Sequence, residues 1–423
     1  MIDPWATPPA STRILGWSEA AAPPSWAEVE EALRCSEFKV DSVELLESSS
    51  SGGTALARSV DAPAILVSID PSDGGKRDAS APEAVACARW ELGLETLLPP
   101  ARDLSGAEVL VQRLVSMHRA LARLGCGLAS LDVDTGRWRF GTELDRFIDG
   151  PPPASEELWT VRVHRRQDRS GTWLATEGLC RCGKFELELL AVPESLAPAA
   201  AGLLDAVAPL YLEGAPPAGD EWSIGPGVSI TLRPLEEVIV RLPPESIGHS
   251  EDRRALGASG PRAVICEVLQ PNRSEPGSFT PFALLEQAAL GAVALHRSGA
   301  EAQRLRKLVA AQGPLLVFAA DAVGRHLDGH GGLDSGPRLL VALAESGREV
   351  SWAEVVGRAA SGLLARPVDT AGRAVPGLPA AVAPIEAVVD WRLMISGAEH
   401  GPMNPDSAID AVISWSRARS LPS

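Results

Sequence analysis

Between residues 156 and 191 the chain alternates with a period of two, and few folds accommodate that pattern. Trp159, Val161 and Val163 alternate with Thr160, Arg162 and His164. A turn at 168–171 leads into a second strand-like run, 172–179, and Phe185, Leu187 and Leu189 then alternate with Glu186 and Glu188. Successive side chains on a strand point to opposite faces, so this period has no helical counterpart. Three such segments joined by short turns predict an antiparallel meander with one apolar face and one wet face.

The rest of the first half supplies elements to pack against it. Residues 1–23 are rich in Pro and Ala, lack periodicity, and read as an arm. Ser25-Trp26-Ala27-Glu28 is a capping-box pattern ahead of Val29, Ala32 and Leu33, so a helix starts there. Residues 39–47, 62–69 and 128–133 read as strands, with a Ser/Gly turn at 48–53. Cys87, Trp90, Leu94, Leu97 and Leu98 recur at helical spacing from Pro82, and Leu110, Leu114, Met117, Leu121 and Leu124 do so from about Ser105.

Pro193 and Pro198 frame a boundary, beyond which the pattern becomes mainly helical. Strands near 229–232 and 263–269 flank a charged segment, 245–254. Leu284, Leu285, Ala288, Ala292 and Leu295 form a helical stripe, and a helix is expected at 301–310. Residues 315–319 fit a short strand or a buried helix equally. Ser351-Trp352-Ala353-Glu354-Val355 repeats residues 25–29 identically and is expected to open another capped helix. The expected architecture is therefore α+β. An arm at 1–23 precedes an α+β domain at 24–194, which holds the meander and flanking helices, and a more helical α+β domain follows at 195–423.

The balance of 39 Lys+Arg against 55 Asp+Glu gives a net charge of −16, which argues against a nucleic-acid partner. Arginine replaces lysine except at Lys39, Lys76, Lys184 and Lys307, the bias of a GC-rich bacterial genome. The start, Met1-Ile2-Asp3-Pro4-Trp5, lacks the pattern of a secretory signal. The most apolar stretch, 195–212, is interrupted by Pro198, Asp205 and Pro209, so no membrane span is expected and a cytoplasmic location follows. Of six cysteines, Cys180 and Cys182 alone are close in sequence, which predicts free thiols.

The densest polar cluster is Arg325-His326-Leu327-Asp328-Gly329-His330-Gly331-Gly332-Leu333-Asp334. His326, Asp328, His330 and Asp334 are the residue types that hold zinc or iron. Three glycines equally describe an exposed loop, and that is the expectation here, with no cofactor. Cys180-Arg181-Cys182-Gly183 falls at the tip of a hairpin without the second pair that a zinc knuckle needs. His118, His164 and His296 read as structural. No nucleophile elbow, phosphate loop or dinucleotide fingerprint is present.

From Gly227 the chain runs Val228-Ser229-Ile230-Thr231-Leu232-Arg233-Pro234-Leu235-Glu236-Glu237, then Gly248, Asp252-Arg253 and Ala263-Val264-Ile265. This order resembles an uncharacterised bacterial family of unknown function, in which a strand leads into Pro-aromatic-Glu, then Gly and Asp-Arg, then another strand. Leu235 stands in the aromatic position. The resemblance implies a soluble bacterial protein and carries over no catalytic residue. Read physically, Glu236 and Glu237 suit the first turn of a helix, and Asp252 and Arg253 are candidates to pair with them.

Together these features predict a non-enzymatic module that binds another protein. Trp5 and Trp17, in the aperiodic start, are the candidate interface anchors. Two alternatives remain on the sequence. One is a metal-dependent hydrolase built on the 326–334 cluster. The other is an immunity-type protein whose acidity complements a basic partner.

Overall fold

The computed structural model describes residues 4–420 apart from 37, 39, 50–51, 60–62, 73–80, 99–103, 151–152, 226–227, 259, 269–278, 290–306, 331–336, 345–349, 369–373, 376, 396–397 and 402–404. It is an α+β protein that divides into two compact units, residues 1–300 and 301–423, rather than at the expected boundary near 194.

The first unit opens with a strand where an arm was expected. β1 (Ser11–Ser18) lies inside a seven-stranded antiparallel sheet with β2 (Ser42–Ser49), β3 (Gly52–Arg58), β4 (Ile65–Pro71), β5 (Trp90–Leu97), β6 (Ala129–Asp132) and β7 (Arg137–Phe140), in the order β2-β3-β4-β5-β1-β6-β7. β1 pairs with β5 along its whole length and with β6 from Ile14 to Trp17. β5 corrects a second expectation. Trp90, Leu94 and Leu97 fit helical spacing, but Leu92 and Leu94 also fit a period of two. Ladders to β1 and β4 on both sides decide the matter.

Three helices serve this sheet: α1 (Trp26–Arg34), α2 (Leu104–Arg123) and α3 (Gly141–Asp149). α2 and the turn after it press close to β1. A Cβ added at Gly16 would stand 2.8 Å from Cβ of Cys126 and 3.3 Å from Cβ of Leu121, so glycine is what lets the two backbones approach.

The predicted meander is present as β8 (Thr160–His164), β9 (Thr172–Glu177) and β10 (Glu186–Val192). It continues into a second, six-stranded sheet through β11 (Glu221–Gly225), β12 (Val228–Pro234) and β13 (Arg262–Glu267), ordered β11-β12-β13-β10-β9-β8. β10 and β13 run parallel, with Glu186 beside Arg262 and Glu188 beside Val264. α4 (Ala197–Glu213) buries Leu203, Leu204, Val207 and Tyr211 in the same core as Leu187 and Leu189 of β10 and Ile14 of β1. Each fully buried leucine there contributes about 1.5–3 kcal/mol. By length and composition Glu194–Glu213 is long and apolar enough to cross a membrane, contrary to the expectation above, but half of that window is buried inside the protein.

Two short helices, α5 (Leu235–Ile239) and α6 (Ser250–Ala255), link β12 to β13, and α7 (Phe282–Ala289) follows. Val238, Leu242 and Ile247 from this linking segment pack on Trp173, Ala175, Leu190 and Val264. The second sheet is thus covered on both faces, and the expected wet face of β10 does not exist: Glu186 and Glu188 are buried.

The second unit holds α8 (Gly313–His330) and a six-stranded antiparallel sheet. Its strands are β14 (Arg338–Ala344), β15 (Val350–Ala359), β16 (Gly362–Pro367), β17 (Ala381–Ala383), β18 (Val388–Ile395) and β19 (Ala398–His400), ordered β17-β16-β15-β14-β18-β19. α9 (Pro405–Ser420) closes the chain. Leu316, Ala320 and Val323 of α8 and Ala408 and Val412 of α9 share a core with Val341, Val355, Leu363 and Trp391. Residues 351–355, expected as the start of a capped helix, lie inside β15. Residues 315–319 are helical; the first part of the helix expected at 301–310 and the end of the stripe at 292–295 lie outside the described residues.

Candidate functional site

Glu188 is the centre of the first candidate. β10 carries it into the space between the second sheet and the segment that links β12 to β13. Its Oε1 accepts from Nη1 of Arg253 at 2.7 Å and from Nη1 of Arg262 at 2.8 Å. Its Oε2 accepts from Nη2 of Arg253 at 2.7 Å. Arg253 also donates through Nε to the carbonyl of Gly248 at 2.7 Å, and its guanidinium lies 4.4 Å from the ring centroid of Trp173. The ring of His164 lies tilted against Trp173 with centroids 4.3 Å apart, and burial lowers the pKa of its imidazole. A bidentate carboxylate–guanidinium pair of this kind is strong and directional.

Asp252 ties the linking segment down at the next residue. Its Oδ2 accepts from the N–H groups of Gly248 and His249 at 3.0 and 3.2 Å, and its Oδ1 accepts from Arg166 at 2.7 Å. Burial opposes the charged form, but the Gly248 N–H and Arg166 outweigh it and hold the carboxyl below its ordinary range. Gly248 has φ +111°, and a Cβ there would stand 2.9 Å from Leu190. That close packing is why a glycine occupies the turn.

The structure gives the ion-pair candidates these partners. Asp252 and Arg253 are ion-paired, but with Arg166 and Glu188 rather than with Glu236 and Glu237. Glu236 and Glu237 occupy the first turn of α5 as expected; Glu237 reaches Arg233 at 3.4 Å and Glu236 is exposed. Glu188 was missed because an alternating strand pattern cannot tell a wet face from one covered by a later segment. Its one legible signal was the Asp-Arg pair awaiting a partner.

Glu186, two residues before Glu188, is held differently. The hydroxyl of Thr176 donates to Oε2 at 2.7 Å, and the N–H groups of Gly178 and Cys180 donate to Oε1 at 2.9 and 3.0 Å. Burial pushes its carboxyl up. Nearby, burial pushes the thiols of Cys180 and Cys182 up to about 12, so neither is an activated nucleophile. All six cysteines are free.

A second buried charge pair joins the two sheets of the first unit. Arg181, in the turn Leu179–Cys182, meets Asp132 of β6 through contacts of 2.9–3.0 Å and donates to the carbonyl of Leu158 at 2.7 Å. Beside it His118 shares a 2.9 Å hydrogen bond with Ser130 through Nδ1, and burial drives its pKa well below the ordinary value. Both residues are buried. Asp132 and Arg181 spend their hydrogen bonds inside the fold as fasteners, whereas Nε2 of His118 is buried without a hydrogen-bond partner among the described residues.

The other sequence candidates fall elsewhere. Trp5 and Trp17 are each 1% exposed, which removes them as interface anchors. Trp5 donates through Nε1 to the carbonyl of Pro216 at 2.8 Å, and Trp17 lies against Trp138 with centroids 4.8 Å apart. His326 stands on α8 rather than in a loop; it is buried, edge-on to Trp415 at 5.6 Å. Asp328 and His330 continue the same helix, their side chains lie outside the described residues, and so does Asp334. Among the described residues no three His, Cys, Asp or Glu side chains gather as a metal site.

The surface offers one strand with a different character. β2 is an edge of the first sheet, and among the described residues it pairs with β3 alone. Every residue of it except Val43 is exposed, Leu45 at 47% and Leu46 at 50%. The ladder shifts between Leu45 and Glu47, so Leu46 is the extra residue of a bulge.

Residues 160–266 match the family described as Protein of unknown function (DUF4026) C-terminal. The match begins with β8 and ends in β13, so it coincides with the second sheet and contains the Glu188–Arg253–Arg262 group. Comparison with curated proteins and with solved structures gives no match.

Proposed function

We propose that this chain is a non-enzymatic binding module that engages another protein through β2. The observation that carries the reading is an eight-residue sheet edge with two exposed leucines at its centre. An unpaired edge presents a row of backbone donors and acceptors, and two exposed leucines on it give a pairing strand an apolar contact. The buried pairs Glu188–Arg253 and Asp132–Arg181 support the same reading as fasteners of the scaffold that carries β2. A reducing compartment, where six free thiols are at home, fits the cytoplasm.

The test is a photo-crosslinking amino acid placed at Leu46 and, as a control, at Val240, which is 78% exposed on the linking segment. In extracts of the source cells the Leu46 position is expected to give a discrete protein adduct that the Val240 position does not. The adduct should disappear when Leu45→Glu is added. Equal labelling from the two positions overturns the proposal.

A further inference from the structure

The geometry points to a particular occupant of β2: an extended segment of another polypeptide in which Lys or Arg alternates with apolar residues, added as a further strand. This rests on the binding reading above and names the chemistry of its partner. Strand addition takes most of its affinity from main-chain hydrogen bonds, and the side chains at the edge choose among partners.

Those side chains are Glu44, Leu45, Leu46 and Glu47, flanked by serines. Arg58 of β3 reaches Glu44 at 3.1 Å, a pair more than half exposed on both sides and worth little in water. Glu47 has no ion-pair partner among the described residues. α1 adds exposed Glu28 and Glu31, and its Trp26 lies over Gly53, beside Glu47. The chain as a whole has the same sign, with a net charge of −16. Opposite charges facing each other across a strand pair stabilise it and like charges destabilise it.

The same four residues exclude a second copy of the chain. Pairing β2 antiparallel with itself so that Leu45 meets Leu46 places Glu44 against Glu47 at both ends of the contact. Shifting the register by one residue instead sets a leucine against a glutamate. Of the usual protections of a sheet edge, β2 carries two glutamates and the bulge at Leu46 but no lysine or proline. The edge is guarded against itself by charge, and that charge is what a basic strand would neutralise.

The experiment measures amide hydrogen exchange and affinity on the full chain with three ten-residue probes at physiological salt. One alternates Lys with Val, one alternates Glu with Val, and one is the Lys/Val peptide N-methylated at alternate residues. The Lys/Val peptide is expected to slow exchange across residues 42–49, and the other two are not. Glu47→Lys should weaken the Lys/Val peptide by about fivefold. Protection of 42–49 by the Lys/Val and Glu/Val peptides alike overturns the basic partner and leaves the binding module standing. Protection spread over the acidic surface, or retained by the N-methylated peptide, overturns strand addition. If no probe protects 42–49 while Leu46 still crosslinks specifically, this inference fails and the binding module survives; if neither happens, both fail.

Discussion

The pentapeptide Ser-Trp-Ala-Glu-Val occurs twice and folds in two ways. At residues 25–29 it caps α1. The N–H of Glu28 donates to Ser25 Oγ at 3.3 Å, and Glu28 Oε2 accepts from the Ser25 N–H at 2.6 Å, a reciprocal capping box. At residues 351–355 it lies in β15, paired with β14 on one side and β16 on the other. There Ala353 and Val355 enter the core, while Glu354 is buried between Arg338 at 2.8 Å and Arg366 at 2.7 Å. The flanks decide. Glu30-Glu31-Ala32-Leu33 continues a helix well, whereas Val356-Gly357 does not: β-branching and then glycine disfavour the next turn. A cap motif states where a helix can begin, and the following turn states whether one does.

The two glutamates at the fourth position therefore do different work, and substitutions can separate a clamp from a cap. The most enclosed clamp sets the upper end of the scale: Glu188→Gln leaves Arg253 and Arg262 buried beside a neutral amide. It is expected to cost about 3–5 kcal/mol in urea unfolding, and a loss under 1 kcal/mol would mean those arginines reach water. Glu354→Gln removes the same kind of clamp where the arginines are about 30% exposed, so about 1–3 kcal/mol is expected. A loss as small as that of a cap would break the contrast.

The pH dependence of the Glu354 clamp has a definite sign. Burial opposes ionisation, but hydrogen bonds from Arg366 and Arg338 outweigh it and hold the Glu354 carboxyl below its ordinary range. The native state thus binds fewer protons than the unfolded one near that range. The stabilisation is present above the unfolded pKa and is lost as pH falls through the lowered native value. Unfolding of residues 301–423, followed by amide exchange, should steepen in acid for the parent chain and be flatter for Glu354→Gln.

On the cap side, Ser25→Ala is expected to cost about 1 kcal/mol, seen as faster exchange in α1 with residues 301–423 unchanged. Glu28→Gln should do less, because a glutamine amide oxygen can accept the same Ser25 N–H. An effect of Glu28→Gln as large as that of Glu354→Gln would remove the distinction between the two contexts.

The same lesson explains what could be read from the chain beforehand. β8, β9, β10, α1 and α2 were legible because their patterns last several residues and their flanks agree. β1 was hidden by its proline-rich surroundings, and β5 by leucines that satisfy two periods at once. For the buried charge group, Asp252 and Arg253 could be picked out as ion-pair members, but Glu188, 65 residues away in sequence from Arg253, could not be assigned to them without the parallel pairing of β10 and β13. For the edge, Leu45 and Leu46 look in sequence like any core pair; β2's place at the end of the sheet is what exposes them.

β1 has a further consequence, one of timing. It is made well before its two partners: β5 lies about 70 residues downstream and β6 about 110. At synthesis rates of about 5–20 residues per second, its slot is completed only after roughly 5–20 seconds. Until then Trp17 and Ile14 have no complete sheet to enter, and once β5 is made β1 is paired on one side only until β6 follows. During that wait β1 is a strand with an unpaired edge, the same condition that β2 keeps in the finished fold among the described residues.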